Sequence, residues 1–493
     1  MSGPNNFVQL LLLISCCNVA VLFFQADATF EFENDSFNND NNNHTGVWFE
    51  MLHRHSPKLK SESEFLGPPK SRLDGMSQLF HSDMARRQMI ASLRQGKRRK
   101  AFEVSQTAQI PLRSGADSGL GQYFVSIRIG TPRPQKFILI TDTGSDLTWM
   151  NCEYLCKDCP KPNPHPGRVF RAKDSSSFRT IPCSSDDCKI ELQDYFSLTE
   201  CPTPNAPCKF DYRYLNGPNA VGVFANETVT VGLHSHMKVR LFDVLIGCTE
   251  SYSEGSGFPD GVMGLGYRKH SLALRLAEIF GNKFSYCLVD HLSSSKHKNF
   301  LSFGDVPEMK MPKMQYTELL LGYLNAFYPV NVSGISVGGS MLNISSEIWN
   351  VTGEGGMIID SGTSLTLLAG EAYDRVVDAL KPVIARYTKV VPPELPDLND
   401  LCFEDEEFDK ATIPRLLIHF ADGAIFKPPV KSYIIDVAPG IKCVGIARAD
   451  FPGSSILGNI MQQNHFWEYD LGRGKLGFGP SSCVTSDSNS KQH

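Results

Sequence analysis

The chain has 493 residues, of which 41% are hydrophobic and 20% are charged, and its formal net charge at pH 7 is -5. This length exceeds what one hydrophobic core usually supports, so we expect two or more globular units. The charge provides no general attraction to nucleic acid or to anionic membranes, and the composition is that of an ordinary globular protein.

The N-terminus carries an export signal. Phe7 to Phe24 is mostly apolar and is followed by the small-residue sequence ADA at 26–28. This pattern predicts a secretory signal peptide over residues 1–28 that is cut after Ala28. The alternative is an uncleaved membrane anchor, because the apolar stretch is close to the length of a span. The early position and the cleavage pattern favour removal, so we expect no stable membrane anchor.

Sequons and cysteines also indicate the secretory pathway. Two of the 14 cysteines leave with the signal peptide, and the remaining 12 (14 - 2) could form six disulfides in an oxidising compartment. We therefore expect a glycoprotein with disulfide bonds that is extracellular or vacuolar. The Asn-x-Ser/Thr acceptor sites are Asn34, Asn43, Asn226, Asn331, Asn343 and Asn350.

Residues 29–106 form a leader that differs from the body of the chain. Between Lys70 and Glu103 it has nine basic and three acidic residues, so this stretch has a charge of +6. Such a run is often a solvated tail. We favour an inhibitory propeptide, whose cations pair with carboxylates of a cleft at neutral pH and release them in acid. A nucleic-acid-binding arm built on KRRK is the weakest interpretation, so nucleic acid is not an expected partner.

The body is predicted to be mainly β. Short β-branched and aromatic runs such as QYFVSIRIG, KFILIT and ETVTVGL alternate with Gly, Pro and Asn. Helical periodicity is confined to SLALRLAEIFG and GEAYDRVVDALKPVIARY.

A repeated pattern divides the body into two related lobes, 107–310 and 311–493. FILITDTGSDLTWM (137–150) and GMIIDSGTSLTLL (356–368) each end an apolar run on an Asp-x-Gly turn. Each is followed later by an apolar-apolar-Gly strand, in DGVMGLG (260–266) and SSILGN (454–459). Because an isolated Asp-Gly is commonly an ordinary turn, the repetition is what indicates a duplicated functional loop.

The two turns predict a pair of catalytic carboxylates, Asp142 and Asp360. If the lobes face each other, the two like charges share one proton. The ionised carboxylate can then act as a general base on water, and the protonated one can polarise a carbonyl, with activity peaking in acid. Backbone amides and hydroxyls that support these carboxylates are expected from Gly144, Ser145, Gly362 and Thr363.

These motifs resemble the pepsin-like (A1) aspartic proteases, over about residues 123–483. The resemblance implies a bilobal β fold around a cleft that holds an extended protein or peptide substrate, and an endopeptidase that needs no cofactor. A monomer made as a zymogen, with its own propeptide as inhibitor, is expected. The cysteine pattern and HRHSP in the leader are similar to the atypical plant, nepenthesin-type group.

The resemblance also implies roles for individual residues. Tyr214, in DYRYLNGPNAVG, is the expected flap tyrosine that closes over substrate, and Trp149 is the aromatic that could bond its hydroxyl. Leu215 and Asn216 depart from the usual Gly and Asp of that hairpin. Cys402 and Cys443 are expected to pair.

Three alternatives remain open on the sequence alone. A zinc site at Cys152, Cys156, Cys159 and His165 is disfavoured against disulfides, so no metal is expected. PLRSGAD, FSYCLVDHLS and LGNIMQQN are similar to a plant member of the group described as chloroplast-located, which makes the chloroplast the alternative destination. A catalytically silent binding or inhibitor protein on the same fold is the alternative function.

Overall fold

A computed structural model describes most of the two lobes and three parts of the leader. The predicted signal peptide, the residues 88–122 that join leader to body, and the expected flap residues Tyr214, Leu215 and Asn216 lie outside the described residues. Described are 30–33, 46–53, 71–87 (without 74, 78, 82 and 85), 123–154, 168–192, 201–213, 219–232, 238–252, 260–289, 299–304, 306, 312–324, 326–395, 398 and 401–483.

Within the described residues the leader contributes two strands, and the first lobe is built mainly of strands, as the β-branched runs of the body predict. In chain order they are β1 Phe30–Glu33, β2 Gly46–His53, β3 Tyr123–Ile129, β4 Gln135–Asp142, β5 Trp149–Glu153, β6 Phe170–Arg171, β7 Arg179–Thr180, β8 Lys209–Arg213, β9 Asn219–Gly232, β10 Lys238–Tyr252, β11 Gly261–Gly264, β12 Lys283–Cys287 and β13 Asn299–Gly304.

The second lobe continues in the same way. Its strands are β14 Gln315–Glu318, β15 Pro329–Val330, β16 Val332–Val337, β17 Ser340–Met341, β18 Met357–Ile359, β19 Thr366–Ala369, β20 Cys402–Glu404, β21 Leu416–Phe420, β22 Ile425–Phe426, β23 Ile434–Ala438, β24 Ile441–Val444, β25 Ile446–Ala449, β26 Ser455–Leu457, β27 His465–Asp470 and β28 Lys475–Pro480. The fold is therefore mainly β and bilobal, as predicted.

Helices are short and lie between strands. The two periodic stretches form α1 (Leu272–Ile279) and α2 (Gly370–Ile384), and α3 (Asn459–Gln462) follows β26. Ser271 is the N-cap of α1, because its hydroxyl accepts a hydrogen bond from the amide of Leu274, 3.2 Å away. In the leader, the described residues between 72 and 87 are helical and are called the leader helix below. No helix within the described ranges is long and apolar enough to cross a membrane.

The internal repeat of the sequence is a repeat of topology. In the first lobe β4 runs parallel to β11, and β11 runs antiparallel to β5. In the second lobe β18 runs parallel to β26, and β26 runs antiparallel to β19. Each apolar-apolar-Gly strand thus lies between the strand that enters an Asp-x-Gly loop and the strand that leaves it.

One sheet joins the two lobes and includes part of the leader. Its order is β14-β28-β27-β12-β13-β2-β3, so strands from both lobes lie side by side. The leader strand β2 pairs with β13 over six residues, from Gly46 to Met51, and with β3 through Leu52 and His53. Val47, Phe49 and Met51 on this strand are buried. No strand had been predicted at 46–53, and the leader is anchored in the core there.

Five disulfides link cysteines of the described residues. Three are in the first lobe, one is within the second lobe, and Cys287–Cys483 ties β12 to the C-terminal end of the described chain. The pairs are Cys152–Cys248, Cys183–Cys201, Cys188–Cys208, Cys287–Cys483 and Cys402–Cys443. The pair Cys402–Cys443 is the one that the family resemblance implies.

The burial of β2 predicts a large contribution of the leader to the stability of the full chain. Phe49 is 5% exposed and packs edge-on against Phe303, with ring centroids 6.2 Å apart. We expect Phe49→Ala to lower the free energy of unfolding by about 3–5 kcal/mol because it opens a cavity. Urea unfolding of the full-length protein measures this. Tyr323→Ala, at a 59% exposed aromatic, is the matched control, and equal losses in both variants would contradict a buried role for β2.

Candidate active site

Asp142 lies at the end of β4, where the sequence placed it. The parallel partner strand fixes its backbone, because the amide of Leu265 donates to the carbonyl of Asp142 at 2.8 Å. Its carboxylate accepts two hydrogen bonds from its own loop, from the amide of Gly144 at 2.9 Å and from the hydroxyl of Ser145 at 2.6 Å. The side chain is 4% exposed.

Asp360 directly follows β18 and has the same pair of donors in the second loop. The amide of Gly362 donates to Oδ1 at 2.8 Å, and the hydroxyl of Thr363 donates to Oδ2 at 2.6 Å. Asp360 is fully buried. The four supporting residues predicted from the two motifs thus all contact the carboxylate to which each was assigned.

The two loops are hydrogen-bonded directly to each other. The hydroxyl of Thr143 accepts from the amide of Ser361 at 2.8 Å, and the hydroxyl of Ser361 accepts from the amide of Thr143 at 3.1 Å. The same hydroxyls donate across the interface to the carbonyls of Ile359 and Thr141. These reciprocal bonds hold the two carboxylates together, because neither loop can move without breaking bonds to the other.

Close approach explains why glycine is needed in both loops. A Cβ at Gly144 would lie 2.7 Å from Oδ2 of Asp360, and a Cβ at Gly362 would lie 2.7 Å from Cγ of Asp142. Contacts this short do not occur between unbonded atoms, so any side chain would push the two carboxylates apart.

Arg86 of the leader helix lies between the two carboxylates. Its Nε donates to Oδ2 of Asp360 at 2.6 Å, and its Nη2 donates both to Oδ1 of Asp360, at 3.3 Å, and to Oδ1 of Asp142. The Arg86 side chain is 13% exposed. Burial opposes its charge, but the Asp142 and Asp360 carboxylates raise the pKa of Arg86 well above its usual value. The guanidinium therefore compensates one negative charge of the pair that it covers.

The pKa of Asp142 depends on its burial and on the charges of Arg86 and Asp360. Burial raises the pKa of Asp142, Arg86 lowers it, and the neighbouring carboxylate of Asp360 raises it. Without the guanidinium, burial and like-charge repulsion would act together, which is the condition under which two carboxylates share a proton.

A second leader residue, Asp83, is attached just beyond the Asp360 loop. Its two carboxylate oxygens accept from the amides of Ser364, at 2.9 Å, and Leu365, at 2.6 Å. Burial raises the pKa of Asp83 to about 7, although these two hydrogen bonds lower it. The adjacent Arg87 is 3% exposed and lies 3.6 Å from the exposed carboxylate of Asp450. Three charged residues of the leader helix, Asp83, Arg86 and Arg87, therefore contact the body of the chain.

The remaining predicted site residues have different outcomes. Trp149 is 1% exposed at the start of β5, and its proposed partner Tyr214 lies outside the described residues, so their hydrogen bond stays a prediction. The zinc alternative loses one ligand, since Cys152 is bonded to Cys248. The described cysteines with metal-like spacing, Cys183, Cys188 and Cys201, are likewise all in disulfides.

Sequence reasoning did not single out Arg86 or Asp83. The leader has nine cations between Lys70 and Glu103, and their spacing does not reveal which one faces the cleft. One available signal was the separation of three between Asp83 and Arg86, which puts both on one face of a helix.

Two family models together match most of the body. The one described as "Xylanase inhibitor N-terminal" matches residues 123–305, and the one described as "Xylanase inhibitor C-terminal" matches residues 327–480. The two matches leave out residues 306–326, between β13 and β15.

Individual proteins with similar sequences are named as proteases. Aspartyl protease family protein 2 of Arabidopsis thaliana is 33% identical over 75% of this chain and 73% of its own length. Aspartic proteinase nepenthesin-2 of Nepenthes gracilis is 32% identical over 80% of this chain and 86% of its own. The crystal structure of edgp has a TM-score of 0.58 at 17% identity, covering 75% of this chain and 94% of that one, which supports the fold alone.

The raised pKa of Asp83 predicts a pH-dependent contribution to stability. Because its pKa rises from 3.8 to about 7 on burial, the stabilisation is fully present below pH 4 and is lost as the pH rises through 7. Asp83→Asn removes this dependence. We expect the stability difference between wild type and Asp83→Asn, measured by urea unfolding of the full-length chain, to change by a few kcal/mol between pH 4 and 8. Asp378→Asn, at an exposed aspartate of α2, should show a constant difference, and a constant difference for Asp83→Asn would refute the assignment.

Proposed function

Because the chain belongs to the pepsin-like aspartic protease family of the xylanase-inhibitor type, we propose that it is an aspartic endopeptidase that uses Asp142 and Asp360 to hydrolyse peptide bonds of protein substrates. One observation carries this proposal. Two buried carboxylates from different lobes, each with an amide and a hydroxyl donor, are close enough to bind the same guanidinium. A binding protein has no need to hold two carboxylates in this way.

The geometry supports a mechanism by general acid–base catalysis. With the leader helix removed, the two carboxylates share one proton between them. The ionised carboxylate takes a proton from a water molecule as the water oxygen bonds to the peptide carbonyl carbon, and the protonated carboxyl donates its proton to the carbonyl oxygen. The resulting diol collapses as the first carboxyl gives its proton to the nitrogen, the C–N bond breaks and the second carboxylate takes the proton of one diol hydroxyl, which releases a carboxylic acid and an amine.

The proposal extends to a zymogen that is activated by acid. Arg86 occupies the place between the carboxylates where the water and the peptide carbonyl would lie, so the leader helix and a substrate exclude each other. Its attachment requires ionised carboxylates. The contribution of Arg86 is therefore present at neutral pH and is lost as the pH falls and the pair gains protons. Residues 29–106 would then be the propeptide, with the lobes 107–310 and 311–493 as the mature enzyme.

Compartment and processing are proposed on sequence features. The signal peptide, the sequons and the disulfide pairs support export and glycosylation. Resemblance of PLRSGAD, FSYCLVDHLS and LGNIMQQN to the plant protease NANA supports the chloroplast as the alternative destination. We also propose that the protein is a monomer, and that Tyr214 closes over the substrate with its hydroxyl bonded to Trp149.

The rival function is a catalytically silent binding or inhibitor protein. The names of the matching family models favour it, since both include "Xylanase inhibitor". Against it stand the complete donor sets on both carboxylates and a leader whose cation binds them both, neither of which inhibition of another enzyme requires.

Cleavage of a denatured protein substrate across pH 3 to 8 tests the protease proposal. Acid-treated wild type should show acid-peaked cleavage, and Asp142→Asn and Asp360→Asn should each lower it by a factor of at least about 10³, because either change removes one half of the acid–base pair. N-terminal sequencing before and after acidification should show loss of the leader. Folded, fully processed wild type that cleaves at no pH would reject the protease and favour the rival function.

Arg86→Gln separately tests the zymogen. Removing the guanidinium leaves two uncompensated buried carboxylates under the leader helix, so we expect the onset of activity to move about one pH unit or more towards neutral. Arg87→Gln is the comparison, because the ion pair of Arg87 among the described residues is with an exposed carboxylate at 3.6 Å, so this variant should move the onset less. Identical onsets in wild type and Arg86→Gln would show that Arg86 does not control release.

A further inference from the structure

Three buried polar side chains are linked by hydrogen bonds to the backbone of the Asp360 loop. Gln462 is in α3, Tyr286 is in β12 and Tyr469 is in β27. Each is at most 1% exposed, so none can touch a substrate. No step of the mechanism above uses them, yet burying three polar groups is costly unless all of their hydrogen bonds are satisfied.

Gln462 holds the backbone on both sides of Asp360. Its amide nitrogen donates to the carbonyl of Asp360 at 3.1 Å and to the carbonyl of Leu457 at 2.8 Å. The carbonyl of Leu457 also accepts from the amide of Asp360 at 3.1 Å. The indole of Trp467 in turn holds Gln462, by donating to its backbone carbonyl at 2.9 Å. The peptide groups before and after Asp360 are therefore tied to one side chain.

The orientation of this amide dictates the direction of the bonds beyond it. Since both amide protons of Gln462 point at carbonyls, its Oε1 must accept, and it does so from the hydroxyl of Tyr286. A phenol has one proton, so the oxygen of Tyr286 must accept from the hydroxyl of Tyr469, 2.9 Å away. The hydroxyl of Tyr469 is therefore the outer end of the chain and donates inward.

The bonds form a chain that ends on the backbone of Asp360. It runs from Tyr469 through Tyr286 and Gln462 to the carbonyl of Asp360. The amide of Ser361, next to Asp360, donates to the hydroxyl of Thr143 at 2.8 Å. The two tyrosines belong to adjacent strands of the sheet that joins the lobes. Their rings are packed rigidly, with Tyr469 stacked on Phe284 at 4.5 Å.

We propose that Gln462, Tyr286 and Tyr469 are positioning residues, which form a buried hydrogen-bond chain that holds the backbone of Asp360 in register against the sheet that joins the lobes. The chain acts through the peptide groups on either side of Asp360, and the Asp142 loop follows because the amide of Ser361 is bonded to the hydroxyl of Thr143. Because each hydroxyl has one proton, loss of a member leaves its neighbour without a partner and loosens the Asp360 loop. Its consequence for catalysis rests on the protease proposal, whereas its consequence for loop rigidity does not.

Tyr286→Phe tests the chain in the middle, since it removes one oxygen and preserves the ring. In the acid-activated enzyme we expect kcat to fall about tenfold, with KM within about twofold of wild type, because one hydrogen bond holds the reacting pair rather than the substrate. The pH at which activity is half-maximal should also shift, since the spacing of the two carboxylates sets how they share a proton. Tyr469→Phe should behave alike, and the double variant should lose no more than the worse single one.

Tyr433→Phe is the matched control. Tyr433 is also buried, and its hydroxyl donates to a backbone carbonyl, that of Pro414 at 2.8 Å, but this bond does not involve the catalytic loops. We expect similar losses of stability in Tyr286→Phe and Tyr433→Phe, with kcat and the pH profile unchanged in the control. Equal kinetics in the two variants would reduce the chain to ordinary core packing and overturn the proposal.

Amide hydrogen exchange of the full-length chain at neutral pH gives a readout that needs no activity. Peptides that contain residues 142–145 and 357–363 should exchange about tenfold faster in Tyr286→Phe than in wild type or Tyr433→Phe. If wild type cleaves nothing but exchange is faster in Tyr286→Phe, the protease proposal fails and the positioning role of the hydrogen-bond chain is supported. If wild type cleaves and Tyr286→Phe alters neither exchange nor kcat, the positioning role is refuted and the protease proposal is supported.

Discussion

The cross-loop hydrogen bonds between Thr143 and Ser361 are the constraint on which the rest of the site depends. Two carboxylates repel each other, and burying them increases that repulsion. Only a rigid connection between the loops can hold them close enough to share a proton or a guanidinium. The parallel strand pairs hold the backbone of each loop in place. The glycine in each loop lets the two carboxylates approach, and the sheet holds the two lobes together.

The leader helix adds a cation to this arrangement and with it a dependence on pH. The contacts of Arg86 and Asp83 with the body respond to acid in opposite directions. The attachment of Arg86 weakens as the carboxylate pair gains protons, whereas that of Asp83 strengthens as its own carboxyl is protonated near pH 7. In the proposed zymogen, a fall in pH therefore weakens the leader helix at the carboxylate pair and not at Asp83. Strand β2 lies between β13 and β3 and attaches the leader to the core at a second place.

Much of this was predictable from the sequence because the decisive signals are local. An apolar run followed by Asp-x-Gly and a hydroxyl specifies a strand, a narrow turn and two donors, and Gly144, Ser145, Gly362 and Thr363 all lie where that pattern requires. Periodicity likewise predicted α1 and α2. The partners that were missed depend on tertiary structure. Tyr286 and Gln462 are 176 residues apart, and the pattern around each is that of a buried strand or helix, which does not reveal what a hydroxyl or amide will meet.

The two lobes repeat their topology but not the chemistry that braces each loop. Gly264 and Gly458 are equivalent by the strand register, and the fourth residue after each is Arg268 in the first lobe and Gln462 in the second. Arg268 places Nε 3.3 Å from Oδ2 of the buried Asp146, four residues after Asp142. Gln462 instead binds the Asp360 backbone. The Asp142 loop is therefore followed by a charged pair, Arg268 with Asp146, whereas the Asp360 loop is held by a neutral amide at the backbone of Asp360. Because the strand pairing of the two lobes is the same, the topology fixes where each aspartate lies and leaves the supporting side chains free to differ.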